Sequence, residues 1–148
     1  MEVSDTLTDC RLKAINFVHR TLLKASGGRL GNQVGSMPIV ELHTIGRKSG
    51  QRRSTLLAAP IVDDGKYVLV ASMGGDDRNP QWYRNLVANH DIELTVAGVT
   101  TQFVARAATD TEKSELWPEI VATYAGYGRY QSKTDRDIPI VICEPRGG

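Results

Sequence analysis

The sequence is poor in cysteine and has no excess charge of either sign. Its 148 residues include two cysteines, Cys10 and Cys143, one near each end, so we expect neither a disulfide framework nor a cysteine metal site. The 18 Lys and Arg residues against 17 Asp and Glu give a net charge of +1, which argues against nucleic acid as the default partner. The low cysteine content favours a reducing, cytoplasmic setting.

Long apolar runs and common catalytic motifs are also absent. There is no run of about 18 apolar residues and no basic segment leading into an apolar one, so neither a membrane-spanning helix nor a signal peptide is predicted. The three histidines stand far apart, which argues against a metal site, and no nucleotide-binding glycine motif or Gly-x-Ser-x-Gly elbow occurs. Cys143 lies in an apolar run and is expected to fill the core.

The length predicts one compact domain, at roughly 150 residues per domain. Residues 1–33 are predicted to form an amphipathic helix over 6–26 and a glycine-rich linker, and residues 34–148 the domain itself. The helix has a cationic face that includes Arg11, Lys13, Arg20 and Lys24. Two interpretations are open: a helix packed on the domain, or one lying on the anionic inner face of the cell membrane.

From Pro38 onward, short β-rich runs alternate with turn signals. Strands are predicted over 38–44, 52–62, 66–72, 91–97, 100–108 and 138–143. Asp63-Asp64-Gly65 and Ala97-Gly98 predict connections too short for helical crossovers, so the pairing should be antiparallel. Six such strands predict a small closed or nearly closed barrel with flanking helices, a mainly β (α+β) fold.

Two helical segments are predicted between the strands. In the first, Asn79 is the expected N-cap and Pro80 the first helical residue, and the helix runs to about Asn89 with one side formed by Trp82, Leu86 and Val87. In the second, Thr109 and Glu112 have capping-box spacing, and an apolar stripe continues through Leu116, Ile120, Val121 and Tyr124. Pro118 is expected either to start a further helix or to kink this one.

A basic loop is the first candidate binding element. It is Gly46-Arg47-Lys48-Ser49-Gly50-Gln51-Arg52-Arg53, with four basic residues in eight positions. Backbone amides and Arg side chains in a tight loop can grip phosphate or carboxylate oxygens, and Arg53 can reach along the strand toward the same ligand. The alternative is a solvated, charged hairpin.

A bend of small residues is the second candidate. Ser72-Met73-Gly74-Gly75 ends an apolar strand and is followed by Asn79-Pro80-Gln81-Trp82-Tyr83. Glycines after a strand let a ligand approach closely, and free amides at the start of a helix attract negative charge. Trp82 either packs on the core, which its periodicity favours, or offers its indole to a flat ring.

Three tyrosines form the third candidate. Tyr124, Tyr127 and Tyr130 recur every third residue, a spacing that lines one side of an irregular helical turn. Such a wall suits a flat, partly apolar substrate, and a phenol can donate a proton to an oxygen that becomes negative on reduction. The alternative is a tyrosine-rich lid without a ligand.

These motifs, together with Trp117-Pro118 and the segment from Thr134 to Pro145, resemble in order and spacing the deazaflavin-dependent nitroreductase family of mycobacteria and other actinobacteria. The resemblance covers about residues 34 to 145. It implies a split β-barrel related to the FMN-binding pyridoxamine-phosphate oxidases, with the deazaflavin coenzyme F420 in a groove beside the barrel. The implied activity is F420H2-dependent hydride transfer to a planar acceptor such as a quinone or a nitroaromatic compound.

The resemblance also implies roles for individual residues. The phosphodiester and oligoglutamate tail of the coenzyme would meet Arg47, Lys48 and Arg53. Its ring would lie near Ser72, Met73, Gly74 and Gly75, in a pocket completed by Asn79, Pro80, Gln81 and Trp82. The family's substrate-pocket tyrosines match Tyr124, Tyr127 and Tyr130. Ser72 matches a serine that hydrogen-bonds the acceptor, so Tyr130 and Ser72 are the candidate catalytic residues.

Two positions depart from the family pattern. Ala58 stands where a nitro-drug-activating member has a further pocket tyrosine, so quinone reduction is expected rather than nitroimidazole activation. Met73 replaces a lysine, which is expected to remove one contact to the coenzyme tail. Two other functions stay open: an FMN-dependent oxidoreductase of the same barrel superfamily, and a non-catalytic deazaflavin carrier.

Overall fold

This computed structural model describes residues 33–34 and 37–146 of the chain, which contain eight β-strands and three α-helices. The strands are β1 (Gln33–Val34), β2 (Met37–Ile45), β3 (Arg52–Ala58), β4 (Ile61–Asp63), β5 (Lys66–Val70), β6 (Asp91–Val96), β7 (Val99–Ala107) and β8 (Ile140–Pro145). The helices are α1 (Gln81–Ala88), α2 (Asp110–Thr123) and α3 (Gly126–Ser132), and a 3₁₀ turn covers Met73–Gly75. The predicted N-terminal helix lies outside the described residues, so the division at residue 33 stays a prediction.

The strands form one antiparallel sheet that curves into a half-barrel. Their order is β3-β2-β6-β7-β8-β5-β4, with β1 also paired to the start of β2. Each described pairing is antiparallel, which confirms the predicted mainly β architecture. The strands β3 and β4 follow each other in the chain yet occupy the two ends of the order, and no ladder joins them within residues 37–146. The barrel is therefore split rather than closed.

Both predicted hairpin turns are confirmed. Asp64 and Gly65 connect β4 to β5 with φ values of 50° and 77°, and Ala97 and Gly98 connect β6 to β7 with φ values of 50° and 84°. Positive φ at both central residues is the type I′ pattern, whose twist matches that of the paired strands. These two-residue turns set the registers Asp63 with Lys66 and Val96 with Val99.

The predicted strand over 52–62 is wrong in one respect, because the structure divides it. The strands β3 and β4 are separated by Ala59 and Pro60, both buried. Proline has no N–H to donate to a ladder, so the chain leaves one end of the sheet here and re-enters at the other. The predicted strand over 66–72 is also shorter, since β5 ends at Val70 and the small-residue bend begins beyond it.

The start of α1 also corrects the prediction. Pro80 is the N-cap and the helix begins at Gln81, because the Asn79 side chain accepts a hydrogen bond from Arg136 Nη1 at 3.0 Å instead of capping the helix. Val87, predicted on the apolar side, is 48% exposed, whereas Asn85 is buried beside Leu86. The inward face of a helix with 3.6 residues per turn therefore carries a polar side chain at this point.

Helix α2 confirms the capping box. The Thr109 side chain accepts from the Glu112 amide at 3.1 Å, and the Glu112 carboxylate accepts from the Thr109 amide at 2.9 Å. The helix runs through Pro118 to Thr123, so Pro118 does not start a new helix. Tyr124 caps α2 rather than continuing it, and the next helix begins at Gly126.

Two apolar clusters stabilise the half-barrel. The first fills its interior and includes the fully buried residues Val40, Leu42, Leu69, Leu86, Leu94, Val141 and Cys143, with Trp82 packed against it. The second lies under α2 and α3 and includes Met37, Val68, Ile120, Tyr127, Ile138 and Ile140. Burying each large aliphatic side chain contributes about 1.5–3 kcal/mol. The predicted core role of Cys143 is confirmed, and burial raises the pKa of its thiol to about 12.

Within the described residues, none of the helices combines the length and apolarity needed to cross a lipid bilayer.

Candidate active site

The basic loop is a tight turn between β2 and β3. The Gly46 amide donates to Gln51 O at 2.8 Å, the Gly50 amide donates to Gly46 O at 2.8 Å, and Gly50 has a φ of 71°. A Cβ on Gly46 would lie 2.6 Å from Ser49 Oγ, so a side chain there would require the Ser49 hydroxyl to move. The positive φ at Gly50 and the two backbone hydrogen bonds therefore set the shape of the loop.

Arg47 attaches this loop to helix α1. Its backbone amide and its Nη1 both donate to Asn85 Oδ1, at 3.2 Å and 2.9 Å. Asn85 is buried and its Nδ2 donates to Thr44 Oγ1 at 3.5 Å. Because Gln81 precedes Asn85 by four residues, about one helical turn, the loop lies close to the beginning of α1. The polar residue in the apolar stripe of α1 was the sequence signal for this contact, and sequence reasoning missed it.

Lys48 and Arg53 extend from the same loop toward solvent. Both are exposed, and Arg53 Nη2 donates to Ser49 Oγ at a long 3.4 Å. Lys48 forms no ion pair with residues 37–146. The loop therefore presents two cations to an anionic ligand, while the Arg47 guanidinium is bonded to α1.

The small-residue bend has an unusual backbone. Met73, Gly74 and Gly75 have φ values of 46°, 64° and 85°, three positive values in succession. A methionine in this region costs of order 1–3 kcal/mol, and such strain clusters at ligand sites. The amides of Gly75 and Asp76 close the bend on Ser72 O and Met73 O, at 2.9 Å and 3.1 Å. A Cβ on Gly74 would meet no atom within 4 Å, so a ligand can approach the backbone closely at this point.

Gly75 brings the bend into contact with the tyrosine helix α3. It is buried, and a Cβ there would lie 2.9 Å from Tyr130 O and 3.0 Å from Lys133 Cβ. The missing side chain is therefore a packing requirement as well as a conformational one. It places the predicted coenzyme segment directly against the predicted substrate helix.

Arg136 holds the bend from the other side. Its guanidinium donates to three backbone carbonyls, Ala71 O at 3.1 Å, Ser72 O at 2.9 Å and Asp76 O at 2.8 Å, and to Asn79 Oδ1. Burial lowers the pKa of Arg136, and the charges of Asp76 and Asp77 oppose that effect. Sequence reasoning assigned no role to Arg136, although the motif that carried the family resemblance contains it.

The three tyrosines do pack together, but they are not equivalent. The ring centroids lie 5.3 Å apart for Tyr124 and Tyr127, 6.2 Å for Tyr127 and Tyr130, and 6.4 Å for Tyr124 and Tyr130. Tyr127 is only 7% exposed, and its hydroxyl donates to Met37 Sδ at 3.8 Å, so its ring belongs to the second apolar cluster. Burial raises the pKa of Tyr127. Its assignment to a substrate wall stays a prediction, and the side chain faces the core in this structure.

Tyr124 and Tyr130 form a phenol pair that is open to solvent. Their hydroxyl oxygens are 3.5 Å apart, Tyr124 is 36% exposed and Tyr130 is partly exposed. The hydrogen bond to Tyr124, together with burial, raises the pKa of Tyr130. The Tyr130 hydroxyl is therefore protonated at neutral pH, as that of an ordinary tyrosine is, and the raised pKa makes it a weaker acid. Ala58 and Tyr130 both pack against the second apolar cluster.

The contacts connect the predicted segments in a chain. The basic loop meets α1 through Asn85, the segment before α1 meets the bend through Asn79 and Arg136, and the bend meets α3 through Gly75. Trp82 packs on the first apolar cluster, as its periodicity favours, and its ring lies 6.4 Å from that of Tyr83. Ser72 is buried, and its carbonyl belongs to the Arg136 contact.

A groove of about 170 Å³ lies elsewhere, between β2, β6, β7 and Arg146. None of the predicted coenzyme or substrate residues lines it. Its cations are already paired, Arg52 with Glu93 at 3.3 Å and Arg146 with Asp91 at 3.1 Å. We therefore do not place the active site in this groove.

No cluster of three or more His, Cys, Asp or Glu side chains in the described part of the chain could hold a metal ion. The buried His43 uses both ring nitrogens for contacts within the sheet. Its Nδ1 lies 2.6 Å from Ser54 Oγ on β3 and its Nε2 lies 2.7 Å from Thr95 Oγ1 on β6. The ring therefore links three neighbouring strands.

The cationic loop, the open glycine bend and the adjacent phenol pair are features that an oxidoreductase with a flavin-like, anionic coenzyme needs, and they lie on an antiparallel split barrel. The comparison with protein families makes this specific. The model of the F420H(2)-dependent quinone reductase family matches residues 17–145. The chain belongs to this family, and is thus an F420-dependent oxidoreductase.

Individual relatives agree. An F420H(2)-dependent quinone reductase of Mycobacterium tuberculosis (H37Rv) is 38% identical over 135 residues, which cover 87% of this chain and 89% of that protein. The solved structure of the F420-H2 dependent reductase FDR-A is 39% identical, with a TM-score of 0.65, and the match covers 72% of this chain and 94% of that one. The split-barrel fold predicted from the sequence is confirmed by this similarity.

The residues present fit coenzyme F420. A polyanionic tail needs exposed cations, which Lys48 and Arg53 provide within a single loop. A flat ring can approach the backbone closely at Gly74, where the space is open to at least 4 Å from the Cβ position. Which of these residues contact the coenzyme stays a prediction.

Proposed function

We propose that this protein catalyses the F420H2-dependent reduction of a quinone at the surface where the small-residue bend meets helix α3. The observation that carries the proposal is the close approach of Gly75 to the backbone carbonyl of Tyr130, which packs the bend directly on the helix that carries the proposed proton donor. Family membership supports the same reaction, because the family is that of F420H(2)-dependent quinone reductases.

Three groups of residues are assigned to coenzyme binding. Lys48, Arg53 and Arg47 bind the negative charges of the tail. Ser72, Met73, Gly74 and Gly75 support the ring, and Asn79, Pro80, Gln81 and Trp82 complete the binding surface. The support is the exposure of the loop cations, the open backbone at Gly74 and the free amides at the start of α1. The Met73 side chain is uncharged, so the bend binds the coenzyme through its backbone.

When bound, the reduced coenzyme supplies a hydride, two electrons at once. A quinone that takes up one hydride and one proton becomes a hydroquinone, so the protein must provide the proton and hold the acceptor in place. We assign proton donation to Tyr130, because its hydroxyl lies beside that of Tyr124 and its partial exposure lets water return the proton. Tyr124 holds that hydroxyl through their mutual contact.

Ser72 and Ala58 are assigned to the acceptor. Ser72 is the predicted hydrogen-bond partner of the acceptor oxygen, and its position at the start of the bend supports that role. Ala58 packs against the cluster that contains Tyr127, and a small side chain there leaves space for a planar ring. Nitroaromatic compounds are second in order of expected acceptors, because Ala58 replaces the further tyrosine of the nitro-drug-activating relative.

Two finer proposals concern location and partners. The cationic helix predicted over 6–26 would let a cytoplasmic enzyme contact the inner membrane surface, where lipid-soluble quinones reside. Pelleting with anionic liposomes should fall when residues 1–30 are removed, and unchanged pelleting would contradict this proposal. Nucleic acid is not a proposed partner, since the net charge is +1.

A cofactor titration followed by an acceptor screen tests the function. Purified protein should be colourless, its tryptophan fluorescence should be quenched on adding coenzyme F420, and the protein should oxidise F420H2 when menadione is present. Yellow protein with tightly held FMN would support the FMN-dependent alternative. Coenzyme binding without acceptor-dependent oxidation, in a screen of quinones and nitroarenes, would support the carrier alternative.

A further inference from the structure

The guanidinium of Arg136 forms all of its hydrogen bonds with one segment of the chain. The Nε, Nη1 and Nη2 atoms all donate, and all four acceptors lie between residues 71 and 79. Three of the acceptors are backbone carbonyls, so they fix the path of the main chain rather than the position of one side chain. A planar fork with several donors can satisfy this set, whereas a lysine ammonium is a single point charge.

The backbone of Arg136 is hydrogen-bonded to helix α3. Gln131 Nε2 donates to Arg136 O at 2.8 Å, and Gln131 Oε1 accepts from the Ile138 amide at 3.0 Å. Lys113 Nζ on α2 also donates to Gln131 Oε1, at 3.0 Å. Gln131 directly follows Tyr130, so the residue that carries the guanidinium is bonded to the helix that carries the proposed proton donor.

Thr134 adds a second, parallel link. Its hydroxyl donates to Asp77 Oδ1 at 2.7 Å and accepts from the Arg136 amide at 3.3 Å. The loop between α3 and β8 therefore contacts the 71–79 segment through two side chains. These contacts oppose the relaxation of a bend that contains three successive positive φ values, one of them at Met73.

We propose that Arg136 is a positioning residue that fixes the coenzyme-binding bend relative to Tyr130 on helix α3. This inference rests on the proposed function, since it deepens the account of the same site. The guanidinium acts through its hydrogen bonds to Ala71, Ser72, Asp76 and Asn79. By fixing the bend, it sets the separation between the coenzyme and the acceptor. Correct placement of two reactants contributes strongly to rate, so a small loosening of the bend reduces turnover even at saturating coenzyme.

The test compares R136K with the matched control R106K. Both Nη atoms of Arg106 also donate to a partner, the Glu112 carboxylate, at 2.7 Å and 2.8 Å. Arg106 lies on the surface of β7, however, and touches neither the bend nor α3. In R136K, hydrogen exchange of amides 73–79 in the coenzyme-free protein should accelerate about tenfold or more, and the dissociation constant for coenzyme F420, read from tryptophan quenching, should rise about tenfold. In R106K, both should stay within about twofold.

Steady-state kinetics separate positioning from general destabilisation. With saturating coenzyme and menadione as acceptor, R136K should lower kcat about tenfold or more with little change in the KM for menadione, at a temperature where both variants are fully folded. An R136K protein with unchanged exchange at 73–79, or with unchanged coenzyme affinity and kcat, would overturn the proposal.

T134V provides a milder second variant in case R136K does not fold. It removes the hydroxyl that links Asp77 and the Arg136 amide, and it should produce intermediate exchange at 73–79 and an intermediate loss of coenzyme affinity. Wild-type behaviour in T134V alongside an unfolded R136K would reject the positioning role and leave a structural one. If the wild-type protein bound no coenzyme, the proposed function would fail, whereas the exchange comparison would still decide whether Arg136 orders the bend.

Discussion

A Cβ atom on Gly75 would lie 2.9 Å from the carbonyl oxygen of Tyr130, closer than real Cβ contacts come. Gly75 also has a φ of 85°, a conformation that disfavours any side chain. The bend and helix α3 can therefore be this close only because residue 75 is glycine. The proposed active site depends on that contact.

Replacing Gly75 with alanine tests the contact, with G74A as the matched control. Both glycines have positive φ, so each substitution should cost about 1–2 kcal/mol from backbone strain. G75A should cost about 1–3 kcal/mol more, because the added methyl meets the backbone of α3, whereas the Cβ at Gly74 meets open space. Urea denaturation measures both values. Equal losses in the two variants would mean that the packing of Gly75 against α3 is not tight in solution.

Neutralising the exposed loop cations should weaken coenzyme binding in a salt-dependent way. K48Q and R53Q should each raise the dissociation constant for F420, and the difference from wild type should shrink from low to high ionic strength because exposed charge pairs are screened. Titration by tryptophan quenching at two salt concentrations measures this. K66Q is the control, since Lys66 is an exposed lysine at the remote β4–β5 turn. A salt-independent loss in K48Q would contradict an electrostatic role.

Removing the Tyr130 hydroxyl should lower turnover and leave coenzyme affinity nearly intact. Y130F keeps the ring but cannot donate a proton, so we expect kcat to fall about 10²-fold or more. Y127F is the control, because its hydroxyl is buried on Met37 Sδ and should affect kcat little. Since the pKa of Tyr130 lies above its ordinary value near 10, wild-type kcat should show no tyrosine ionisation below about pH 10. Reduced affinity with normal kcat in Y130F would contradict the assignment.

Cys143 should make the fold less stable in alkali. Its folded-state pKa of about 12 exceeds the ordinary value of 9.0, so the unfolded chain ionises first as pH rises. Ionisation of this thiol does not affect the free energy of unfolding below about pH 9. Between about pH 9 and pH 12 it lowers the free energy of unfolding by up to about 1.4 kcal/mol per pH unit. In C143A the free energy of unfolding should fall less steeply from pH 8.5 upward, although its value at pH 7 is lower because a cavity forms. Parallel pH profiles in the two proteins would reject the prediction.

The sequence was most informative where local rules act alone. Both short hairpin connections were predicted from a glycine in each turn, and the Thr109–Glu112 capping box from the spacing of a threonine and a glutamate. The alternation of β-rich runs and turns likewise predicted an antiparallel, mainly β fold, although it favoured a closed or nearly closed barrel and the split barrel came from the family resemblance. These features require no knowledge of distant parts of the chain.

The errors arose where distant residues decide the outcome. Asn79 has the preference of an N-cap, but Arg136, 57 positions later, takes its side-chain oxygen. Asn85 faces inward because Arg47, 38 positions earlier, supplies a partner for it. A pattern within one segment cannot include such partners, so the periodicity of α1 predicted the element and not the detailed role of each side chain.

The shared acceptor at Asn85 has a mechanical consequence for the cationic turn. Because the same oxygen receives both the main-chain amide and the guanidinium of Arg47, either donor alone keeps it satisfied. The side chain can therefore swing out to an incoming phosphate while the main chain stays fastened to α1. In the proposed binding mode, Arg47 can in this way exchange partners without leaving the Asn85 oxygen unsatisfied, so contact with the coenzyme tail would require a rotamer change rather than a refolding of the turn.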